Sequence, residues 1–125
     1  MNEVIKGEWE KTFRWLRRMA NFETRFDAAL EKAGREGVRA LEAATPVHTG
    51  IAASAWFFDI KKGPTSSTIE WHNADIEGGY NVALLIQYGH GTGTGGYVRG
   101  LDYINPALAP VFESFVKDVL KEVDG

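Results

Sequence analysis

Apolar residues recur every three or four positions through most of the first 45 residues, which is the spacing of one face of an α-helix. Residues 3–6 are short and apolar enough for an edge strand, and Gly7 is expected to break the chain after them. A first helix follows, and its apolar face is formed by Trp9, Phe13, Leu16 and Ala20.

Asn21 is placed to cap a second helix, which we predict to run for about six turns. Pro46 ends this helix after Thr45, because a proline disfavours the helical conformation of the residue before it. Several residues of the apolar stripe are small, so we expect a closely packed neighbour. The stripe comprises Phe22, Phe26, Ala29, Leu30, Ala33, Gly37, Ala40, Leu41 and Ala44.

After Pro46 the apolar period changes to two. Trp56, Phe58 and Ile60 alternate with other residues, and Ile69 and Trp71 do so again after the turn-rich segment KGPTSS. This pattern predicts a β-hairpin with one apolar face. Both tryptophans of the hairpin are expected in the core.

Residues 80–88 fit two patterns. Alternate apolar positions from Val82 to Ile86 suit a strand, whereas the spacing of Tyr80, Leu84 and Tyr88 suits a helix that ends at the next glycine. We favour the helix.

The last element is predicted to be an amphipathic helix that starts with Asn105 as N-cap and Pro106 in the first turn. Its apolar stripe comprises Leu108, Val111, Phe112, Phe115, Val116, Val119, Leu120 and Val123. The predicted fold class is α+β, with N-terminal helices and a long C-terminal helix packed on a small, mostly antiparallel sheet. No repeat or linker divides the chain, so residues 1–125 are expected to form a single domain.

Between the 80–88 segment and the last helix the chain reads GHGTGTGGYVRG, with six glycines in twelve positions. This composition predicts a long, mobile loop, because glycine weakens helices and strands. Its sizeable side chains are the candidate interface residues His90, Tyr97, Val98 and Arg99. We expect the last three to anchor the loop to a neighbouring subunit, with Tyr97 and Val98 buried there and Arg99 paired with an acid. The alternative is that they pack on their own sheet.

The amino-acid composition excludes several classes of protein. The chain has no cysteine, so it has neither disulfides nor thiol chemistry. No apolar run is long enough to span a membrane, and the first twenty residues do not resemble a secretory signal. We therefore expect synthesis in a cytoplasm and no membrane partner.

Charge is distributed unevenly along the chain. Residues 1–62 contain eleven basic and nine acidic residues, whereas residues 63–125 contain three and eight, so the net charges are +2 and −5. Without a concentrated basic stripe, sequence-specific binding to nucleic acid is not expected, because phosphate contacts supply most of that affinity.

The sequence contains no recognisable catalytic or cofactor motif. The glycine-rich segment lacks the following lysine and adjacent helix of a phosphate-binding loop. His48, His72 and His90 lack the spacing of paired metal ligands, and no serine lies in a GxSxG motif. We expect no catalytic, metal or cofactor-binding residues.

Trp9 and Trp15 lie six residues apart, on nearly opposite faces of the first predicted helix. Both cannot easily be buried in one monomer core, so one of them is a candidate interface residue.

Five segments in order resemble a known family. They are TPVHTG at the end of a helix, ASAW opening a strand, IEWHNADI, YNVALLIQYGHGTGTGGYVRG, and INPAL opening the last helix. Together they resemble the siphophage HK-ninety-seven gp-ten-like proteins over residues 1–123, and TPVHTG with YGHGT and GGYV is the specific part. The chain departs from the pattern TPVDTGRLRASW of many relatives, because Ile51 and Ala52 stand where those have basic residues.

The resemblance implies a virion protein of the neck or upper tail that completes the tail or joins it to the head. It implies a ring of subunits, most plausibly six, made in the bacterial cytoplasm and contacting neck, tail-terminator or tail-tube proteins. No catalytic residues carry over from it. One alternative is a small metal- or nucleotide-dependent hydrolase that uses the glycine-rich segment and His90. The other is a toxin–antitoxin or adaptor protein, which would form a stable small heterodimer and no ring.

Overall fold

The computed structural model describes the backbone of residues 2–46, 51–64, 66–91 and 93–124. It describes their side chains except those of residues 2–13, 15, 16 and 122–124. His48 and the TPVHTG segment after Pro46 therefore lie outside the described residues.

Helix α1 runs from Asn2 to Ala44 without interruption. The predicted edge strand at residues 3–6, the break at Gly7 and the cap at Asn21 are therefore wrong. One glycine costs a helix about 1 kcal/mol, and the surrounding glutamates, lysines and arginines are strong helix formers. The predicted end before Pro46 is confirmed, and the Thr45 hydroxyl donates to the Leu41 carbonyl there at 2.5 Å.

The predicted β-hairpin is confirmed. After the short helix α2 (Ile51–Ser54), strand β1 (Trp56–Lys62) pairs antiparallel with β2 (Ser67–Asn73), and Phe58 lies opposite Trp71. The hairpin lies over α1, where Phe58 covers Gly34 and Trp71 covers Gly37. The close neighbour predicted for the small residues of α1 is thus a pair of aromatic side chains.

Two short antiparallel strands, β3 (Ile76–Glu77) and β4 (Tyr80–Asn81), lead into helix α3 (Val82–Tyr88). The preference for a helix in this segment is confirmed. The Asn81 side chain caps α3 by accepting from the Leu84 amide at 3.3 Å, and Gly89 forms the C-cap with a φ of 80°.

Strands β5 (Gly89–Gly91) and β6 (Tyr97–Arg99) form a third antiparallel pair, and helix α4 (Ile104–Asp124) completes the chain. The α+β class is confirmed, although the described strands form three separate two-stranded sheets. Helix α4 begins at Ile104, so Asn105 lies inside the helix and is not its N-cap. Pro106 lies in the first turn as predicted.

The core lies between the second half of α1, the β1–β2 hairpin, α3 and the start of α4. Its buried residues are Leu41, Trp56, Ala83 and Tyr103. Trp56 donates its indole N–H to the Thr45 hydroxyl at 2.8 Å, and Tyr103 donates its hydroxyl to the Ala83 carbonyl at 2.8 Å. Burial raises the pKa of Tyr103 above its ordinary value. The core position predicted for Trp56 is confirmed, and Trp71 packs half-buried against the cluster.

Helices α1 and α4 pack antiparallel. The start of α4 lies beside Leu41, Phe115 contacts Phe26 with ring centroids 5.9 Å apart, and Lys121 lines the same cleft as Arg25. Helix α4 therefore reaches back along α1 to about residue 21.

Candidate partner interface

Large apolar side chains remain exposed on three surfaces of the described chain. The first, the α3 surface, comprises Phe57, Ile76, Tyr80, Leu84 and Tyr88. The second, the β6 surface, comprises Tyr97 on one side of β6 together with Val98 and Leu101, which line a groove on its other side. The third, the α4 stripe, comprises Phe112, Val116 and Leu120. Extensive exposed apolar surface on a small domain indicates association with a partner.

The α3 surface arises because Leu84 and Tyr88 of the helix are exposed, as is Tyr80 in the preceding strand β4. Ala83 and Gln87 are buried, whereas Tyr80 and Tyr88 are 64% and 69% exposed. The spacing that identified the helix thus marks its solvent face. Phe57, Ile76 and Leu84 line one shallow groove beside it.

The two ends of the glycine-rich segment, Gly89–Gly91 and Tyr97–Arg99, pair with each other as strands β5 and β6. The prediction of a loop over residues 89–100 is therefore wrong for these two ends. Gly89 pairs with Arg99, His90 with Val98, and Gly91 with Tyr97. The positive φ of Gly89 turns the chain from α3 directly into β5. Ladder hydrogen bonds and a bond from the Tyr97 hydroxyl to the Tyr88 carbonyl at 3.1 Å then offset the entropy lost by the glycines.

The predicted anchor residues lie on this hairpin. Tyr97 and Arg99 share one face of β6 and are exposed, whereas Val98 lies on the opposite face with His90. Val98 and His90 line a groove against α3 with Val82, Leu85 and Ile86. In the single chain, Val98 therefore packs back on its own domain in part, and Tyr97 and Arg99 remain available to a neighbour.

His90 is half-buried, and its Nδ1 atom is buried without a hydrogen-bond partner. Glu77 and Arg99 line the same groove as His90. The described residues that line this groove include no hydroxyl or thiol side chain that could serve as a nucleophile.

The structure does not bring the other candidate chemical groups together. Among the described residues, no group of three histidine or acidic side chains is arranged to hold a metal ion. His72 lies on β2, where its Nε2 atom is 3.1 Å from Glu70. A hydrogen bond from Lys61, the larger effect, and the contact with His72 lower the pKa of Glu70.

Trp9 and Trp15 lie within the backbone of α1, but their side chains are outside the described set. Their role at an interface stays a prediction. The six described side chains between residues 14 and 21 are all exposed, and they are Arg14, Arg17, Arg18, Met19, Ala20 and Asn21.

The sequence predicted an apolar stripe on α4 but not that part of this stripe is exposed. Helix α1 covers the side that carries Val111 and Phe115, and leaves Phe112, Val116 and Leu120 more than half exposed. The signal was available: the apolar positions occupy a wider arc of the helix than one neighbouring helix can cover.

The chain matches no protein-family model, no curated protein and no solved structure. In the part of the chain that the structure describes, no helix has both the length and the apolar character needed to cross a bilayer.

Proposed function

We propose that this protein is a non-enzymatic structural subunit of a siphophage neck or upper tail. In this role its copies assemble into a ring of six that completes the tail or joins it to the head. The protein is made in the bacterial cytoplasm and resides in the virion. Its neighbours are neck, tail-terminator or tail-tube proteins.

The observation that carries this proposal is the amount of apolar surface left uncovered. Thirteen large apolar side chains of the described residues are exposed, and eleven of them fall on the three surfaces defined above. Surfaces on separate elements can engage several neighbours at once, as a subunit between two rings requires. Heterologous contacts close into a ring when the rotation between copies permits.

Two further features support the same role. The quoted motifs occur in the order of the siphophage family they resemble. The net charge of −5 in residues 63–125 disfavours a tight grip on DNA, which suits a channel through which DNA passes.

Light scattering after size-exclusion chromatography tests the proposal, with and without a neck or tail-tube protein. Mass spectrometry of purified virions is the second measurement. We expect a multimer in at least one condition and several copies per virion. A strict monomer in both conditions, together with absence from virions, would contradict the proposal.

The unpartnered Nδ1 atom of His90 favours one second candidate, a metal- or nucleotide-dependent hydrolase. Calorimetric titration with zinc and with ATP separates the two functions. The structural role predicts no saturable heat with either ligand. Saturable binding that His90→Ala abolishes would favour the hydrolase.

A further inference from the structure

Helix α1 is twice as long as the helix that packs on it. It contains 43 residues and α4 contains 21, which correspond to about 64 and 32 Å at 1.5 Å per residue. Because α4 reaches back only to about residue 21, residues 2–20 extend past it. We call this segment the free half of α1.

Most of the stability of a helix in a protein comes from the packing of its apolar face. All the described side chains of the free half are exposed, including the large apolar Met19. The segment also contains Trp9, Phe13 and Leu16. It therefore needs a surface on which to pack.

The same chain offers such a surface along α4. An apolar cleft of about 290 Å³ lies between α1, α4 and β2, and Leu30, Trp71 and Phe112 are among the residues that line it. The α4 stripe continues from Phe112 through Val116 and Leu120, one helical turn apart. From Phe112 to Leu120 the stripe extends about 12 Å along α4, which is long enough to contact about two turns of the free half.

The charges of the two helices are complementary. Residues 2–20 contain five basic and three acidic residues, whereas α4 contains four acidic and two basic residues, which gives net charges of +2 and −2; of the four acids, Asp118 also pairs with Lys32 of its own chain. Arg14, Arg17 and Arg18 are all exposed. Electrostatic complementarity of this kind fixes the choice of partner and the register of an interface.

We propose that the free half of α1 from one copy docks along the α4 stripe of the next copy. The contact is heterologous, since each chain gives a helix at one end and receives one at the other. An amphipathic helix laid in an apolar groove is a common mode of recognition. The inference rests on the proposed function only in taking the two copies to be neighbours in a ring.

Cross-linking between single-cysteine variants tests the contact, because the natural chain has no cysteine. Arg14→Cys is mixed at the highest soluble concentration with Val116→Cys or Leu120→Cys on a chain of different mass, and a short bis-maleimide is added. We expect a mixed dimer from at least one pairing. Arg35→Cys, an exposed residue farther along α1, replaces Arg14→Cys in the matched control and should give none.

Three results would overturn the inference: no mixed dimer, equal yield with the Arg35 control, or cross-linking only between two chains that both carry Leu120→Cys. The last would show that two α4 stripes pack on each other. Cross-linking together with absence from virions would leave the docking intact and contradict the phage role. Incorporation into virions without this cross-link would support the phage role and contradict the docking.

Substitution of the stripe provides a second test. The double variant Val116→Lys, Leu120→Lys places positive charge where the neighbour's basic helix would lie, so we expect the multimer to become monomeric. Thr24→Lys, an exposed change on α1 outside the proposed contact, should leave assembly unchanged. Both variants should melt like the natural monomer, and a multimer that survives the double change would contradict the docking.

Discussion

At the scale of single residues, Gln87 fixes the start of α4. Its side-chain oxygen accepts from the amides of Tyr103 and Ile104, each at 3.0 Å, while its nitrogen donates to Asp102 at 2.8 Å. The first amides of a helix lack partners within it. A residue of α3 thus replaces the cap that Asn105 was predicted to supply, and links the two helices.

We predict that Gln87→Leu destabilises the protein by about 2–4 kcal/mol, because it leaves two amide groups without acceptors. Asn105→Ala is the control, since it removes only the exposed bond to Asp102 at 3.1 Å and should cost less than about 1 kcal/mol. Urea denaturation measures both. Equal losses would show that the side chain of Gln87 does not cap α4.

Gly37 is the second residue whose role depends on a neighbour. A β-carbon at this position would overlap the indole ring of Trp71, whose N–H donates to the Gly34 carbonyl at 3.0 Å. In an exposed helix, glycine to alanine is stabilising by about 1 kcal/mol. Here the crowding of a packed contact, about 1–3 kcal/mol, opposes that gain.

We therefore predict that Gly37→Ala lowers the free energy of unfolding, although alanine is the better helix former. In a Trp71→Leu background the same change should become neutral or stabilising, since the ring is gone. Chemical denaturation of the four chains of this double-mutant cycle measures the coupling. Gly37→Ala that stabilises both backgrounds equally would refute the close contact.

At the scale of elements, ion pairs connect strands and helices. Lys61 lies 3.2 Å from Glu70 across the β1–β2 hairpin, and Lys32 lies 3.0 Å from Asp118 between α1 and α4. Hydrogen bonding to Asp118 raises the pKa of Lys32 above 10.5, whereas the bond from Lys61 lowers the pKa of Glu70 below 4.5. The stabilisation of the fold by the Lys32–Asp118 pair is thus present at neutral pH and is lost only in strong alkali.

The contribution of Glu70 to the stability of the fold is lost at low pH, not at high pH. Because the folded state lowers its pKa, its stabilisation is present above pH 4.5 and is lost as the pH falls through the lower folded value. We predict that Glu70→Gln lowers the melting temperature slightly at neutral pH and has no effect in strong acid. Thermal melts across this range measure the difference, with Glu42→Gln, an exposed carboxylate of α1, as control. A pH-independent difference would contradict the assignment.

At the scale of the whole molecule, the exposed surfaces and the core are formed by different residues, so we expect assembly and stability to respond to different substitutions. Tyr97 is 67% exposed, and its side-chain hydroxyl donates to the Tyr88 carbonyl. The core of the domain lies elsewhere, around Leu41 and Trp56. Changes on β6 should therefore affect partners more than folding.

We predict that the double variant Tyr97→Ala, Arg99→Ala keeps the melting temperature within a few degrees of the natural protein but fails to join heads to tails. Complementation of an amber-mutant phage, with tailless heads counted by electron microscopy, measures assembly. Tyr103→Ala is the contrasting variant, since it removes a buried core residue and should lower the melting temperature strongly. Normal virions from the β6 variant would overturn the anchor role.

The sequence alone determined the elements whose signals are local. Period-two alternation identified the β1–β2 hairpin, Pro46 marked the end of α1, and the glycine after Tyr88 marked the end of α3. Each depends on steric rules within a few residues, so no knowledge of neighbours was needed.

Only the tertiary structure decided which apolar faces are covered and which breaks are tolerated. Gly7 and Asn21 do not interrupt α1, because one unfavourable residue is outweighed by a long run of helix formers. The glycine-rich segment pairs with itself because α3 and Gly89 bring β5 beside β6. Whether Phe112 or Val111 faces water depends on where α1 lies, and a helical period defines a stripe without saying how much of it a neighbour covers.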